Sequence, residues 1–448
     1  MSDRHDVAVV GAGPAGLAAA WRLVEETGAR VRLYERRSEA GGRLRTDELD
    51  GVRIDPAVQL LAESYRQTFE LARAAGVADL LVPSPGRDAL WRRGRAHPIT
   101  YGSIASMTTS TALPAGLKFR LATRYVPFLR RHADALELHD PARAVAAGLD
   151  RESAAAWGRR QIGDDFVELL VYPLLGAYYG AEPEETSAGL YHALARMGLD
   201  VRLYGVRGGM GALARGIVDA LVERGLEFRP DIEIRSVVAG QDRVTLRWPE
   251  GESSHDAAVL AVPAPVAREV WDSPAPAARA WLDGVRTRAT ATLALSLDGP
   301  APADYFGLSF PRTAPPGDRI VAVCNQERKA PGLVPDGRGA VLVLPSPSRA
   351  DGLADQDPGS VLERLLPALE IAWPGVRRSV TRAKTYRFEA AYTVFEPGGL
   401  ERAAAFDASM LPARLALAGD YFVAPTVEGA VRSGRRAAER VLAASRAG

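Results

Sequence analysis

The first apolar run of the chain, Val7 to Val10, ends in glycine, and an alanine-rich helical pattern from Ala15 to Val24 follows at once. A second apolar run, Val31 to Tyr34, comes next. Apolar run, turn, helix and apolar run is the order of a βαβ unit on a parallel sheet. Downstream, Tyr65 to Gly76 has helical spacing, and Asp88 to Ile99 reads as strand, turn at Gly94, and strand. Helical spacing dominates from Ser103 to Met197, with breaks at Pro114, Pro127, Pro141 and Gly148. Val206 to Leu221 predicts another helix, and Phe228 to Val237 a strand. Val244 to Trp248 and Ala257 to Val262 close a small antiparallel unit. Short apolar runs then alternate with Pro/Gly turns: Arg288 to Leu297, Phe306 to Phe310, Ile320 to Cys324 and Ala340 to Leu344. They predict a second sheet. A helix over Ser360 to Ala372, the segment Ala383 to Phe388 and a loop from Ala391 to Gly399 follow it. A last strand, Leu415 to Gly419, precedes a helix that starts near Val427 and Glu428.

The turn after Val10 carries Gly11, Gly13 and Gly16, with Pro14 and Ala15 opening the helix. Gly11 allows the turn, Gly13 close approach to a pyrophosphate, and Gly16 contact between helix and strand. The free N–H groups and positive dipole end of the helix would then face the phosphates. Glu35 ends the second strand about twenty residues on, where a carboxylate accepts ribose hydroxyls, with Arg36 beside it. A glycine turn alone is weak evidence. The strand before it, the helix after it and the acid at this distance point to a dinucleotide site.

Ser38 to Thr46 reads SEAGGRLRT, placing Gly41, Gly42, Arg43 and Arg45 directly after that strand. This segment resembles the GG-R-x-x-T stretch of the flavin amine oxidase superfamily. The resemblance implies an α/β fold: a Rossmann-like FAD-binding domain of the GR2 type, with an inserted mixed substrate domain and a helical cap. By it, Gly41, Gly42 and Arg43 are FAD ligands and Ile234 contacts the adenine. Asp420, in the Gly419–Asp420 pair, meets the pyrophosphate or ribityl chain, and the helix start at Val427, Glu428 and Ala430 faces the flavin N1/O2 edge. Where relatives carry D-x-G, this chain has Asp55, Pro56 and Ala57. The implied FAD-binding domain is discontinuous: 1–87, 202–280 and 400–448. Residues 88–201 form the helical cap and 281–399 the substrate-domain sheet.

Length changes little beyond this: 448 residues accommodate two or three domains. A 47% apolar and 25% charged composition with net charge +1 gives no sign of a nucleic-acid partner. Cys324 is the one cysteine, so neither a disulfide framework nor a thiolate metal cluster is expected. No metal site is assigned, and His97 and His192 read as structural. The charged start MSDRHD runs straight into the first strand, which argues against a signal peptide, and no apolar run reaches membrane-span length. The expectation is a cytoplasmic protein. Leu113 to Arg131 mixes apolar and basic residues; such a helix is more often a domain helix with a solvated face, with peripheral membrane contact as the alternative.

Chemistry is less legible than the cofactor. The segment FVELLVYPLLGAYYGAEPEETS resembles protoporphyrinogen oxidases, and places Tyr178 and Tyr179 either at the substrate cavity or at a packed helix end. Tyr392 matches one ring of an amine oxidase cage, but the second ring position is Thr426. Ala391 stands where some relatives attach flavin through cysteine, which implies noncovalent FAD. No lysine occurs on the Arg288 to Leu297 strand. Where porphyrinogen-binding relatives place a carboxylate-binding arginine, Asp88 aligns, with Arg87 one residue away. Asp88 there would repel a propionate. The reading is an FAD-dependent oxidoreductase passing hydride from a hydrophobic small molecule to flavin N5, with O2 or another acceptor reoxidising it. It is closest in layout to the protoporphyrinogen oxidase and desaturase branches; a redox-neutral isomerase or mutase and an amine oxidase are the alternatives. Oligomeric state is not legible.

Overall fold

Val7 to Val10 are small or β-branched and apolar on both faces, which suits a central strand of a parallel sheet. In the computed structural model, which describes residues 5–447 except 28, 85, 86, 200, 314, 411 and 412, they form β1 (Asp6–Val10). The charged start, residues 1–4, lies outside the described residues. Next come α1 (Pro14–Thr27), β2 (Arg30–Tyr34), α2 (Arg66–Ala74) and the hairpin of β3 (Asp88–Arg92) and β4 (Arg95–Ile99). A run of short helices ends in α3 (Tyr172–Tyr179) and α4 (Ala188–Met197), and α5 (Met210–Glu223), β5 (Glu227–Arg229) and β6 (Ala257–Leu260) follow. The remainder carries β7 (Arg286–Asp298), β8 (Gly307–Ser309), β9 (Ile320–Asn325), β10 (Arg338–Pro345), α6 (Pro358–Ala372), β11 (Val380–Val394), β12 (Leu415–Leu417) and α7 (Val427–Ala447).

The first sheet has the order β5-β2-β1-β6-β12, every pairing parallel. Its strands come from three separated stretches of chain. One face, with Val7, Val9, Leu33 and Val259, packs on Leu17 and Leu23 of α1 and Ala437 and Val441 of α7; the other, with Ala8, Val10 and Leu260, packs on Val237 and Leu246. The chain leaves β1 toward β2 on one side and returns through β6 on the other, so the sheet reverses its winding beside β1.

The second sheet has the order β11-β7-β10-β9-β8-β3-β4. One face, with Leu293, Leu295, Val341 and Val323, packs on Leu365 and Leu369 of α6. The other, with Ala294, Leu342 and Cys324, packs on Ile54 and Tyr172 and so looks toward the first sheet and the helices. Asp88–Ile99 was expected with the helical lobe; instead β3 pairs in parallel with β8, Ala89 opposite Leu308, because the hairpin supplies the edge that β8 lacks. The predicted strand from Phe228 to Val237 is also divided. Pro230 offers no N–H and Asp231 takes φ +57°, so pairing stops at Arg229 and a new strand begins at Ser236.

Ala391 to Val394, expected in a loop, is strand: it extends β11 against Arg286 to Arg288. In the helical lobe, Leu117, Leu121, Tyr125 and Leu129 are buried while Phe119 stays 69% exposed. The apolar side of that helix is therefore spent on the lobe's own core. His192 is walled by the rings of Tyr125, Phe128 and Trp157, and burial pulls it down to about 3, so it stays neutral. Among the described residues no helix is long and apolar enough to cross a membrane.

Candidate active site

At Gly11 the backbone takes φ +96°, and a Cβ would lie 2.5 Å from the Ala261 carbonyl oxygen; at Gly16 it would lie 1.8 Å from that of Gly11. No side chain fits at either place. Gly13 is different, with open space where its Cβ would be. These turns bring the carboxyl ends of β1, β2, β6 and β12 to a cleft of about 640 Å³. It lies where the winding of the sheet reverses, the usual ligand position of open α/β sheets.

Gly11, Gly13, Pro14 and Ala15 form one wall of the cleft. Glu35 and Arg36 stand at the end of β2, and Ile234 lines the cleft from the adjoining segment, whose Ile232 N–H donates to the Glu35 carbonyl at 2.9 Å. The Glu35 carboxylate is buried and accepts from the Ala12 N–H at 2.9 Å and the Arg37 N–H at 3.1 Å, which leaves lone pairs for hydroxyl donors in the cleft. Gly42 lines the floor, with φ +56° and Gly13 Cα 3.2 Å from where its Cβ would be. Arg43 donates to the Ala391 carbonyl at 2.6 Å and to Asp420 Oδ2 at 2.8 Å, and Thr393 Oγ1 donates to Asp420 Oδ1 at 3.1 Å. Gly419, Asp420 and Ala430 complete the far wall. Gly16 and Gly41 sit behind the surface, Gly41 donating its N–H to the Ala12 carbonyl at 2.8 Å. The set suits an anionic dinucleotide: glycine cradles, helix N–H groups, one carboxylate for a ribose and arginines near the middle.

Val427 and Glu428 open α7, whose first N–H groups have no partner within the helix. Thr426 caps it, Oγ1 accepting from the Gly429 N–H at 2.9 Å. The expectation at Glu428 concerns its backbone N–H at the helix start; the side chain turns elsewhere. It is fully buried, pointing to the start of α2, where it accepts from Gln67 N, Thr68 N and Thr68 Oγ1 at 2.8–3.0 Å and pairs with Arg432. A buried carboxylate is best satisfied by the free N–H groups of a helix start, and α2 offers them.

A bulge widens the cleft. Arg288 pairs with Tyr392 and Thr290 with Phe388, so one strand advances two residues while β11 advances four. Arg387 to Ala390 thereby reach the cleft wall, and Arg45 lies 5.2 Å from the Tyr386 ring centre and 5.7 Å from that of Phe388. Tyr392, Tyr178 and Tyr179 lie deeper. Burial pushes the Tyr392 hydroxyl up to about 12 and raises Tyr178 well above its usual value, yet both side chains keep accessible surface. Tyr179 is buried and hydrogen-bonded to Tyr65. Gly180, with φ +55°, lies against the Tyr392 ring, so the turn after α3 fixes that ring's position.

Fold and cleft define a dinucleotide-binding protein of the flavoenzyme type. The chain belongs to the flavin containing amine oxidoreductase family, whose profile matches residues 14–442. It is an FAD-dependent oxidoreductase. It is 26% identical to the carotenoid 3,4-desaturase of Haloarcula japonica, over 80% of this chain and 79% of that protein. It is 27% identical to the hydroxysqualene dehydroxylase of Rhodopseudomonas palustris, over 98% and 99%. Among solved structures, cyclohexylamine oxidase from Brevibacterium oxydans matches with a TM-score of 0.74 at 20% identity, over 99% of this chain and 100% of that one.

Sequence reasoning missed one node. Asp55 Oδ1 accepts from Thr46 Oγ1 and from the Met210 N–H at 3.0 Å, while Oδ2 pairs with Lys329, and both charged side chains are fully buried. Gln59 Oε1 also accepts from Lys329, at 3.4 Å. The GGRLRT loop, the Asp55 strand, the start of α5 and the second sheet meet at this point. The signal was available: Lys329 is one of three lysines in a chain whose basic residues are otherwise arginine.

Proposed function

We propose that this chain removes hydride from a C–H carbon of an extended, hydrophobic small molecule, with FAD held noncovalently in the 640 Å³ cleft. The observation that carries the reading is the cleft itself, which the bulged β11 lines with Phe388 and Ala390 and the opposite elements with Ile232, Val262 and Val266. Its substrate class follows from the near full-length likeness to a hydroxysqualene dehydroxylase and the likeness to a carotenoid desaturase: a long isoprenoid-like body.

In this reading Gly11, Gly13 and Gly42 admit the pyrophosphate to backbone contact, and Glu35 accepts ribose hydroxyls with Arg36 beside it. Pro14 and Ala15 present the α1 N-terminus, Arg43 is held by Asp420 beside the middle of the cofactor, and Ile234 borders the adenine. The N–H groups of Val427 and Glu428 offer positive potential at the α7 start. Bound flavin supplies the hydride acceptor. Tyr392 and Tyr178 orient the substrate and exclude water, and the apolar wall keeps the reacting carbon dry. Ala391 offers no attachment atom. Thr426, spent on capping α7, supplies no second ring for an amine cage, which speaks against amine oxidation. FAD-binding segments at 1–87, 202–280 and 400–448 fit this assignment, with O2 or another acceptor reoxidising the cofactor in the cytoplasm.

Product analysis tests the reading. Incubation of the holoenzyme in air with isoprenoid hydrocarbons and, separately, with primary amines should yield a new C=C bond in the former and leave the amines unchanged. Deamination of the amines alone would replace it with amine oxidation.

A further inference from the structure

From residue 89 to 133 the chain carries no aspartate or glutamate but eight arginines and lysines. The chain as a whole is balanced, with 56 basic and 55 acidic residues. Among the described residues only Arg120 of the eight forms an ion pair, with Asp165. Arg92 and Arg124 donate to carbonyls, of Ala112 at 2.9 Å and of Gln161 at 3.2 Å. Arg93, Arg95, Arg124, Arg130 and Arg131 are exposed. Such an excess of cations over carboxylates leaves a positive field for an anionic partner.

Residues 115–131 form one helical run with a wider turn over Leu121–Tyr125. That turn keeps Leu117, Leu121, Tyr125 and Leu129 in line at a strict spacing of four, all of them buried in the lobe. Phe119, Thr123 and Pro127 stand two residues on, which is the opposite side of a helix. Phe119 is the most exposed large apolar side chain among the described residues, and Thr123 spends its hydroxyl on the Phe119 carbonyl at 2.8 Å. The preceding short helix, Ile104–Thr109, repeats the pattern: Ile104 is exposed, and Thr108 and Thr109 both donate to the Ala105 carbonyl at 2.9 Å. The β3–β4 hairpin joins the same surface. Arg92 is tied to Ala112, His97 to Thr111 at 2.8 Å, and Ser110 to the Pro98 carbonyl at 2.6 Å, so the hairpin turn presents Arg93 and Arg95 beside the entry to the helical run.

We propose that this face docks the protein on an anionic lipid bilayer, with Phe119 entering the headgroup boundary and Arg93, Arg95, Arg124, Arg130 and Arg131 meeting the lipid phosphates and carboxylates. The buried line of the helical run stays in the lobe core, so the contact is made by side chains that already stand outside. Threonine hydroxyls spent on their own helices cost little to bring against lipid. A bare polyanion would use the cations and leave Phe119 and Ile104 in water; a bilayer uses both. Docking stands apart from the reaction performed in the cleft.

Flotation of the FAD-loaded protein with two kinds of vesicle, phosphatidylcholine alone and phosphatidylcholine mixed with phosphatidylserine, measures docking at low and at high salt. The mixed vesicles should bind at least about tenfold more tightly at low salt, and high salt should remove most of that difference. Arg130→Glu combined with Arg131→Glu should abolish the preference, and Phe119→Ser should weaken binding to the mixed vesicles roughly threefold or more. Val222→Ser, at an exposed apolar side chain on α5, should bind as the native protein does. The flavin absorbance band reports that each variant is folded, and the salt dependence of the native protein needs no variant. Equal affinity for the two vesicles, no binding to either, or native-like binding by the double variant would overturn the proposal. So would binding to polyglutamate as tight as to the mixed vesicles and unaltered by Phe119→Ser, which would assign the face to a polyanion. Vesicle binding without flavin reduction by any isoprenoid would leave this surface standing while the redox reading falls, and flavin reduction without vesicle binding would do the reverse.

Discussion

Asp88 is an uncompensated buried carboxyl whose cost depends on pH. Its ordinary value is 3.8 and burial lifts it to about 7 in the folded protein. The unfolded chain gives up this proton near pH 4, while the folded chain holds it to about 7. The contribution is therefore fully present below about pH 4 and is lost as pH rises through about 7. Asp88→Asn should accordingly be the more stable protein at pH 8.5, by at most about 4 kcal/mol, with the advantage shrinking toward pH 5. Thermal unfolding at both pH values measures it. A constant offset would mean that Asp88 is ionised throughout. Glu35 is a simpler case: Glu35→Ala should weaken FAD retention by roughly 10- to 100-fold, the worth of one or two hydrogen bonds to a charged group, read as FAD content after dialysis. Local chemistry made Gly16 and Glu35 legible in the sequence, because their partners Gly11, Ala12 and Arg37 lie within the same βαβ unit. The partners of the Glu428 side chain were not legible for the opposite reason, since they lie on α2 some 360 residues away.

Among elements, α7 depends on its first turn. Thr426 closes the Gly429 N–H and leaves those of Val427 and Glu428 facing outward. Thr426→Ala should cost about 1 kcal/mol of stability, the usual worth of such a cap, and Thr426→Ser should recover most of it. A drop in the unfolding midpoint for alanine but not serine is the expected pattern. The strand β11 shows where element boundaries escape sequence reasoning. Glu389 to Ala391 is bulged and locally reads as a strand end, and only the long partner β7 carries the strand through to Val394. Likewise β3 and β4 looked like a hairpin attached to helices, because the strand that recruits them, β8, comes more than two hundred residues later. Short apolar runs with local turns were readable; which sheet they join was not.

Across the whole molecule, the two sheets are tied at Asp55 and Lys329. Neither side chain has access to water, and the carboxylate also holds Thr46 and the start of α5. Burial pulls the Lys329 amine down, and Asp55 works against that shift. Lys329→Met would strand a buried carboxylate, and a loss of about 3–5 kcal/mol is expected, with FAD released earlier on heating than from the native protein. Intact stability would mean that water or Gln59 replaces the amine. The architecture as a whole was foreseeable from the two chain ends, whose turn motifs each need a strand before and a helix after. The reaction was not, because its determinants are single side chains on a sheet with no local signature. It is settled most directly by mixing the oxidised holoenzyme with a hydroxylated isoprenoid under strict exclusion of oxygen and following the flavin absorbance band. The account predicts bleaching, with one oxidised product molecule per flavin. Conversion of the substrate by pre-reduced enzyme only, with no bleaching of the oxidised form, would contradict it and make the protein a redox-neutral flavoenzyme.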